Sequence, residues 1–408
     1  MAPYQYRRKD VESRDELHSF LEERMRHSYE QIRDDREVEH GSFYVKSFLL
    51  ECDWNPEELD RKGENEYIRQ LLKIKAEGRQ KKSSDVQITE ADEPGLYMVE
   101  WEWNKEKIIL YIDTISDSQR RFWRAYSVSK ASPLDDILNR VIESKRHLDR
   151  AWLWSDLLQS TQHQQESGEF RCEPRGFRFE HNHTLFEREE ENYIPAEPFT
   201  LKFSGNREES KALLGLIQDN DVFSHQTSLS NVRMKYSKIH SREDFAIETL
   251  YFNGKFTTNG TSFTAHQRLM NEIQHKYAKK VYQIEKNYTI HTKADETQWQ
   301  ISGKPVVLNL SNSPIKEVDK FCKVVFSGQS PFKLWGTPRK TIGEEGRTVQ
   351  AVDLHVGAKL FFEIYPEIIC MYLSDGACGN TAIRFYTNLQ KYFSRLVDVQ
   401  DEFGNQLF

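Results

Sequence analysis

The chain has 408 residues, a formal net charge of −7, 38% hydrophobic residues and 12% aromatic residues. This length leaves room for two or three domains with cores of their own, and the apolar content excludes a disordered chain. The five cysteines are scattered without a Cys-x-x-Cys pair, which excludes a disulfide framework and a cysteine zinc site. No run approaches the roughly 18 apolar residues of a bilayer span, and the N-terminus lacks the apolar core of a signal peptide. We therefore expect a cytoplasmic protein without a membrane partner.

The first third of the chain alternates between charged helical segments and apolar extended segments. Apolar residues at helical spacing predict surface helices over residues 15–33 and 57–75. The polar stretch 78–94 predicts a linker. Ser132 and Pro133 predict the start of another helix, because Ser accepts bonds from the first N–H groups and Pro fits the first turn. The strands predicted here cover residues 96–103, 108–112 and 122–128.

In the rest of the chain, short β-branched and aromatic runs alternate with turn residues and helical segments. Asn253-Gly254 lies between two apolar runs and predicts a hairpin. The polar segment 161–168 predicts a domain boundary, which gives domains over residues 1–165 and 166–408. The predicted strands lie within 170–203 and over 232–236, 245–252, 255–258, 332–335, 352–356, 360–365 and 368–373, and residues 299–310 are predicted as a hairpin around Gly303-Lys304. The predicted helices cover 208–218, 262–282, 313–328 and 383–396.

Two segments of the second half follow the same order: a strand, a Gly/Asn loop, a Thr and a helix with aromatic residues near its end. They cover residues 251–281 and 372–397 and indicate either an internal duplication or a coincidence. The whole pattern predicts an α+β fold in which antiparallel hairpins and meanders are each packed by a following helix, in two domains.

Positive charge is concentrated in the second half. Residues 228–293 hold eleven Lys/Arg and five Asp/Glu, whereas residues 1–100 hold 17 and 24. Basic residues interleaved with rings on strands are typical of sheets that bind single-stranded nucleic acid, where rings stack on bases and cations contact phosphates. The alternative is a solvated basic face opposite an acidic surface. The predicted nucleic-acid-binding residues are Arg233, Lys235, Tyr236, Lys238, Arg242, Lys255, Phe256, Arg268, Lys276, Lys279 and Lys280.

The glycine-bearing loop before the last helix is a second candidate site. Free N–H groups and the positive end of a helix attract anions. Gly379, Asn380, Thr381 and Arg384 are therefore predicted to bind an anion, although neither a P-loop nor a dinucleotide-binding pattern fits their spacing. The alternative is that the glycines permit the turn and Thr381 caps the helix.

His181 and His183 are candidate metal ligands. Residues two apart on a strand face the same side, so these histidines could share a metal ion with a carboxylate. The alternative is a surface histidine pair. The Asp and Glu-x-Lys pattern of restriction-type nucleases does not follow on neighbouring strands, and we predict no catalytic residue and no cofactor.

These observations favour a non-catalytic subunit of a larger intracellular assembly. Its basic sheet would contact nucleic acid, and its acidic, helical front end would contact a protein partner. Prokaryotic genome defence would be a natural setting. Two alternatives stay open: a metal-dependent nuclease or phosphodiesterase that uses His181 and His183, and a purely structural scaffold subunit.

Overall fold

A computed structural model describes residues 11–34, 44–54, 59, 61, 63–73, 86–103, 106–116, 119–163, 169–181, 185–186, 199–221, 223–241, 243–294, 299–340, 345–400 and 407. Within these residues the chain forms eight α-helices and nineteen β-strands, paired almost entirely antiparallel. The predicted α+β class is confirmed. None of the described helices combines the length and the apolar character that a bilayer crossing requires.

The helices and strands are numbered in chain order. The helices are α1 (Arg14–Asp34), α2 (Glu64–Leu72), α3 (Ala131–Ser144), α4 (Ser155–His163), α5 (Arg207–Gln218), α6 (Phe263–Tyr288), α7 (Val318–Val325) and α8 (Gly379–Tyr392). The strands are β1 (Val45–Cys52), β2 (Val86–Glu90), β3 (Leu96–Trp103), β4 (Glu106–Asp113), β5 (Phe122–Ser127), β6 (Leu148–Arg150), β7 (Phe170–His181), β8 (Phe199–Ser204), β9 (Leu229–Lys238), β10 (Phe245–Tyr251), β11 (Lys255–Gly260), β12 (Thr289–Ala294), β13 (Trp299–Ser302), β14 (Val306–Asn309), β15 (Leu334–Lys340), β16 (Arg347–Asp353), β17 (Lys359–Ile364), β18 (Ile368–Ser374) and β19 (Asp398–Gln400).

The chain divides into two compact units that each combine three stretches of sequence. The first unit consists of Met1–Ala151, Gln164–Glu173 and Met234–Gln274. The second unit consists of Trp152–His163, Pro174–Arg233 and His275–Phe408. The predicted domains 1–165 and 166–408, in contrast, are contiguous.

Strand β1 is central in the sheet of the first unit, where the strand order is β2-β3-β4-β5-β1-β11-β10. It pairs with β5, and it also pairs with β11 through residues 45–48 and with β6 through residues 50–52. All eight residues of β1 are buried. A strand covered on both faces has no polar face, so its sequence lacks the alternation that marks a half-buried strand.

Helices cover β1 from both sides. Residues two apart on a strand share a face, and Phe48, Leu50 and Cys52 belong to a core that also contains the apolar stripes of α2 and α3. On the other face, the start of α6 contacts β1 through His266, which lies 2.8 Å from the hydroxyl of Ser47. Charged side chains on β1 are therefore enclosed whichever way they point.

The predicted Asn253-Gly254 hairpin is confirmed, because β10 and β11 pair antiparallel on either side of it. Gly254 adopts φ +72°, a left-handed conformation that glycine tolerates best. A Cβ atom at this position would lie 2.6 Å from the carbonyl oxygen of Ala151. The turn therefore requires glycine both for its backbone angle and for its close approach to the neighbouring chain.

The second unit contains a sheet in the order β13-β12-β18-β17-β16-β15, with β14 paired to both β18 and β19. Predicted strands 360–365 and 368–373 are confirmed as β17 and β18, whereas β16 ends at Asp353 and a turn follows where residues 352–356 were predicted as a strand. Helix α8 is buried from Gly379 to Lys391. The ring centroid of Phe385, on this helix, lies 5.5 Å from that of Phe362 and 6.0 Å from that of Phe332.

Candidate functional site

Three cationic side chains lie on one face of the sheet around β1. Lys255 on β11 pairs with Phe48, and Arg150 on β6 pairs with Leu50. Directly paired residues share a face, and Lys46 lies on that face because it is two residues from Phe48. Helix α3 covers these side chains and contributes one carboxylate. We call Lys46, Lys255, Arg150 and Asp135 the Lys46 cluster.

The three cations of the Lys46 cluster differ in their partners. Lys255 Nζ donates to Asp135 Oδ2 at 2.5 Å, and Arg150 Nη2 donates to Asn139 Oδ1 at 2.6 Å. Lys46 Nζ is buried, and no residue of the described chain accepts a hydrogen bond from it. A buried donor without an acceptor is costly, because it has lost its water without gaining a partner.

The pKa of Lys46 is also displaced from its ordinary value. Burial lowers the pKa of Lys46 to about 8; the neighbouring charge of Lys255 lowers it as well, and Asp135 acts in the opposite direction. Burial also lowers the pKa of Arg150, against the charges of Asp135, Asp149 and Glu143. Arg150 is thus balanced by three carboxylates. At the Lys46 end of the cluster, Lys46 and Lys255 share the one carboxylate of Asp135.

The cluster is recessed but reaches the surface at one end. Lys46 is 0% exposed, whereas the side chain of Asp135 is 34% exposed. Asn139, one turn further along α3, is exposed. Asp135 is therefore the member of the Lys46 cluster nearest to solvent.

A second buried polar network lies on the opposite face of β1. Ser47 Oγ is 2.8 Å from His266 Nε2, and His266 Nδ1 is 2.9 Å from Glu248 Oε1. Thr258 Oγ1 donates to the same carboxylate oxygen at 2.8 Å. These distances match those of a serine–histidine–acid relay.

Burial argues against catalysis by this relay. Ser47, His266 and Glu248 are all fully buried, and Ser47 lies in mid-strand, paired with residues of both β5 and β11. A substrate carbonyl has no route to the hydroxyl in this arrangement. The network instead holds the start of α6 onto the sheet, and no motif spacing in the sequence indicates it.

The predicted nucleic-acid-binding residues are divided between the two units. Lys235, Tyr236, Lys238, Lys255, Phe256 and Arg268 belong to the first unit, and Arg233, Lys276, Lys279 and Lys280 belong to the second. Arg242 lies outside the described residues. Lys255 is the predicted residue that belongs to the Lys46 cluster.

The rings expected to stack on bases are not exposed. Tyr236 and Phe256 are buried; Tyr236 stacks on Phe170 with ring centroids 5.3 Å apart and donates its hydroxyl to Glu272 at 2.8 Å. Burial raises the pKa of this phenol, as does the hydrogen bond to Glu272. The expectation of exposed rings at these two positions is corrected, because both face the interior of the first unit.

The predicted cations fall into several environments. In the first unit, Lys238 pairs with Glu169 at 3.4 Å and Arg268 with Glu272 at 3.2 Å. Lys235 lies 4.4 Å from the ring centroid of Phe245. In the second unit, Arg233 and Lys279 are exposed and Lys276 is half-buried. Lys280 donates to the carbonyl of Leu407, and burial lowers its pKa.

The predicted anion loop is buried and is occupied by carboxylates of the chain itself. The N–H of Gly379 donates to Glu285 Oε1 at 2.7 Å, and Thr381 Oγ1 donates to Asp353 Oδ2 at 2.5 Å. Arg384 pairs with Asp353 and donates to the carbonyl of Phe332 at 3.0 Å. Asn380 accepts from Tyr277. These polar groups form hydrogen bonds within the core of the second unit. The expectation of an open anion site is therefore corrected.

Of the candidate metal ligands, the structure describes one. His181 ends β7 and is buried, which is not the surface position that a solvent-exposed pair would have. His183 lies outside the described residues.

Fold and cluster thus define an α+β protein with a recessed cationic site beneath helix α3. Residues 5–407 match the family of MJECL33-like proteins, and the chain belongs to that family. It is similar to a protein of Methanocaldococcus jannaschii named "Uncharacterized protein MJECL33", with 25% identity over 433 residues that cover 98% of this chain and 96% of the relative. No solved structure matches the chain.

Proposed function

We propose that this protein is a non-catalytic nucleic-acid-binding subunit whose first unit takes up a phosphate group at the Lys46 cluster. The observation that carries the proposal is the buried ammonium of Lys46, which has no hydrogen-bond acceptor in the described chain. A phosphate oxygen beside Lys46 would supply this acceptor.

Phosphate suits the cluster by charge and by its number of acceptors. An ammonium group has three donors and a guanidinium has five. Lys255 has a carboxylate partner and Arg150 an amide partner, and both have donors beyond these bonds. Charge-assisted hydrogen bonds to phosphate are roughly twice as strong as neutral ones. A dianion would therefore offset the repulsion between Lys46 and Lys255.

The depth of the site favours the end of a strand. Lys46 is fully buried below the partly exposed Asp135, so a phosphate in the middle of a stiff duplex would not reach it. A terminal phosphate on a single strand has the necessary freedom. We still predict that the acidic N-terminal part of the chain contacts a protein partner. Genome defence is still a prediction for the biological setting.

Fluorescence anisotropy with single-stranded oligonucleotides tests the proposal. We compare a 5′-phosphate, a 3′-phosphate and no terminal phosphate at low salt, with inorganic phosphate and a mononucleotide as competitors. A phosphorylated end should bind about 10- to 150-fold more tightly, since a charge-assisted bond contributes about 1.5–3 kcal/mol. Lys46→Met should remove this difference, and added salt should weaken binding steeply.

Lys107→Met is the matched control, because Lys107 is an exposed lysine of the same unit and is not among the predicted nucleic-acid-binding residues. This variant should retain the preference for a terminal phosphate. If no oligonucleotide binds at low salt, nucleic acid is not the ligand. If the three oligonucleotides bind equally to the protein and to Lys46→Met, the Lys46 cluster is not the phosphate site.

A further inference from the structure

Lys46 differs chemically from an ordinary lysine, because its amine has a substantial neutral fraction near neutral pH. With burial lowering the pKa of this side chain to about 8, about half of the amine is neutral at pH 8, compared with less than about 1% for an exposed lysine. A neutral amine is a nucleophile, and a neighbouring cation such as Lys255 is a known means of activating one. The neutral amine also carries a lone pair that no group of the described chain uses.

We propose that Lys46 is a carbamylation site at which the side-chain amine adds carbon dioxide. The nitrogen lone pair attacks the carbon, a new N–C bond forms, and the electrons of one C=O π bond move to oxygen. The nitrogen then releases one proton to water. The product is an Nζ-carboxylate, and no oxidant or reductant takes part.

The surroundings of Lys46 favour this product. Carbamylation replaces a cation by an anion, so that the repulsion between Lys46 and Lys255 becomes an attraction. The attraction between Lys46 and Asp135 becomes a repulsion, but Asp135 acts on Lys46 less strongly than Lys255 does. Lys255, whose charge acts on Lys46, has donors beyond its bond to Asp135 that the two new oxygens could accept from. It lies on the same face of the sheet as Lys46.

Carbon dioxide also suits the depth of the site. Lys46 is fully buried, which obstructs large or charged reagents. Carbon dioxide is small, uncharged and apolar, so it enters an apolar interior without the desolvation cost of an ion. Phe48 and Leu50, which lie on the same face as Lys46, provide such an interior.

Lys391 of the second unit supplies an internal comparison. Burial lowers the pKa of this lysine to about 7, so its charge state alone would make it equally reactive. Its Nζ, however, donates to the carbonyl of Glu180 and to the hydroxyl of Ser230. A carbamate would place new anionic oxygens against that carbonyl. We therefore expect modification at Lys46 and not at Lys391.

Carbamylation does not require the proposed phosphate ligand. A bound phosphate would keep Lys46 protonated and so compete with carbon dioxide, and the test is therefore made in phosphate-free buffer. A failure of oligonucleotide binding would leave this inference standing, and the reverse also holds.

The experiment incubates the intact protein with ¹³C-bicarbonate at pH 8, traps carbamates as esters with a trialkyloxonium salt, and maps labelled peptides by mass spectrometry. Labelling of Lys46 should exceed that of Lys238 on the order of 100-fold, which is the ratio of the neutral fraction of Lys46 to that of a model lysine at pH 8. Lys391 should be unlabelled. A carbamate carbon resonance in the ¹³C spectrum should be present in the protein and absent from Lys46→Met.

The peptide map of the unaltered protein decides the question even if the variant does not fold. A mapped but unlabelled Lys46 peptide would overturn the proposal. So would equal labelling of Lys46 and Lys238, because that result would indicate general surface modification.

Discussion

Lys46 in the first unit and Lys391 in the second unit are both buried lysines with a lowered pKa, yet their surroundings are opposite. Lys391 donates to Glu180 and Ser230, so it joins β7, β9 and α8 within the second unit. Lys46 has no acceptor among the described residues. Burial alone therefore does not define the role of a cation. A partner within the chain indicates a structural role, and the lack of one at Lys46 is the basis of the ligand proposed above.

The same contrast holds for the arginine on α8. Arg384 is completely buried and pairs with Asp353, whose other oxygen accepts from Thr381. Asp353 also accepts from the backbone N–H of His355 at 3.0 Å. This set of contacts satisfies both charges inside the second unit. The Lys46 cluster lacks such a set, and substitutions in the two regions should have opposite effects.

Asp353→Ala should produce the largest effect. It would leave the charge of Arg384 buried without its carboxylate, which typically costs about 3–5 kcal/mol. Urea unfolding followed by tryptophan fluorescence measures the loss. Asp319→Ala is the control, because Asp319 also pairs with an arginine, Arg347, but is 64% exposed. Equal losses in the two variants would show that burial does not set the cost of removing the carboxylate.

Lys46→Met should stabilise the protein at pH 7. The pKa of Lys46 falls from 10.5 to about 8 on folding, so charging this side chain costs the folded state on the order of 3 kcal/mol. Between these two values the unfolded chain binds more protons, and the stability of the unaltered protein rises with pH. The advantage of Lys46→Met should therefore be full below pH 8 and lost near pH 10.5.

Urea unfolding at pH 7 and at pH 10 checks this prediction, with Lys238→Met as the exposed control. The control should change stability by less than about 0.5 kcal/mol at either pH. A Lys46→Met variant that is less stable than the unaltered protein at pH 7 would mean that Lys46 has a stabilising partner.

Lys391→Met should have the smallest of the three effects, because two contributions act in opposite directions. The carbonyl of Glu180 and the hydroxyl of Ser230 would lose their donor, at a cost of about 1–3 kcal/mol. Relief of the buried charge, whose pKa burial lowers to about 7, stabilises the variant. We therefore expect Lys391→Met to gain less stability at pH 7 than Lys46→Met. Thermal unfolding of the two variants side by side compares them directly. If Lys391→Met gains as much stability as Lys46→Met, hydrogen-bond partners do not distinguish the two lysines.

Much of the local structure could be predicted because it depends on neighbouring residues. Helical spacing indicated α1, α3 and α8, and Asn253-Gly254 indicated the β10–β11 hairpin. The central strand β1 was not predicted, because an apolar run covered on both faces lacks alternation. The charged residues Lys46 and Glu51 nevertheless interrupt that apolar run and distinguish it in the sequence.

The exposure of side chains was the part that neighbouring residues could not determine. Tyr236 and Phe256 were expected at the surface and are buried. Alternation along a strand gives two faces but does not say which one a helix covers. Lys255 was predicted as a phosphate contact, while its neighbour Lys46 lies more than 200 residues earlier in the chain.

The amino-acid sequence by itself determined the α+β class and most helix and turn positions, because spacing and turn chemistry act over a few residues. Only the tertiary structure brought Lys46, Arg150 and Lys255 onto one face beneath Asp135, and gave Lys391 the partners that Lys46 lacks. The physical reason is that the state of a buried charge depends on the groups packed around it. Those groups come from strands and helices far apart in the chain.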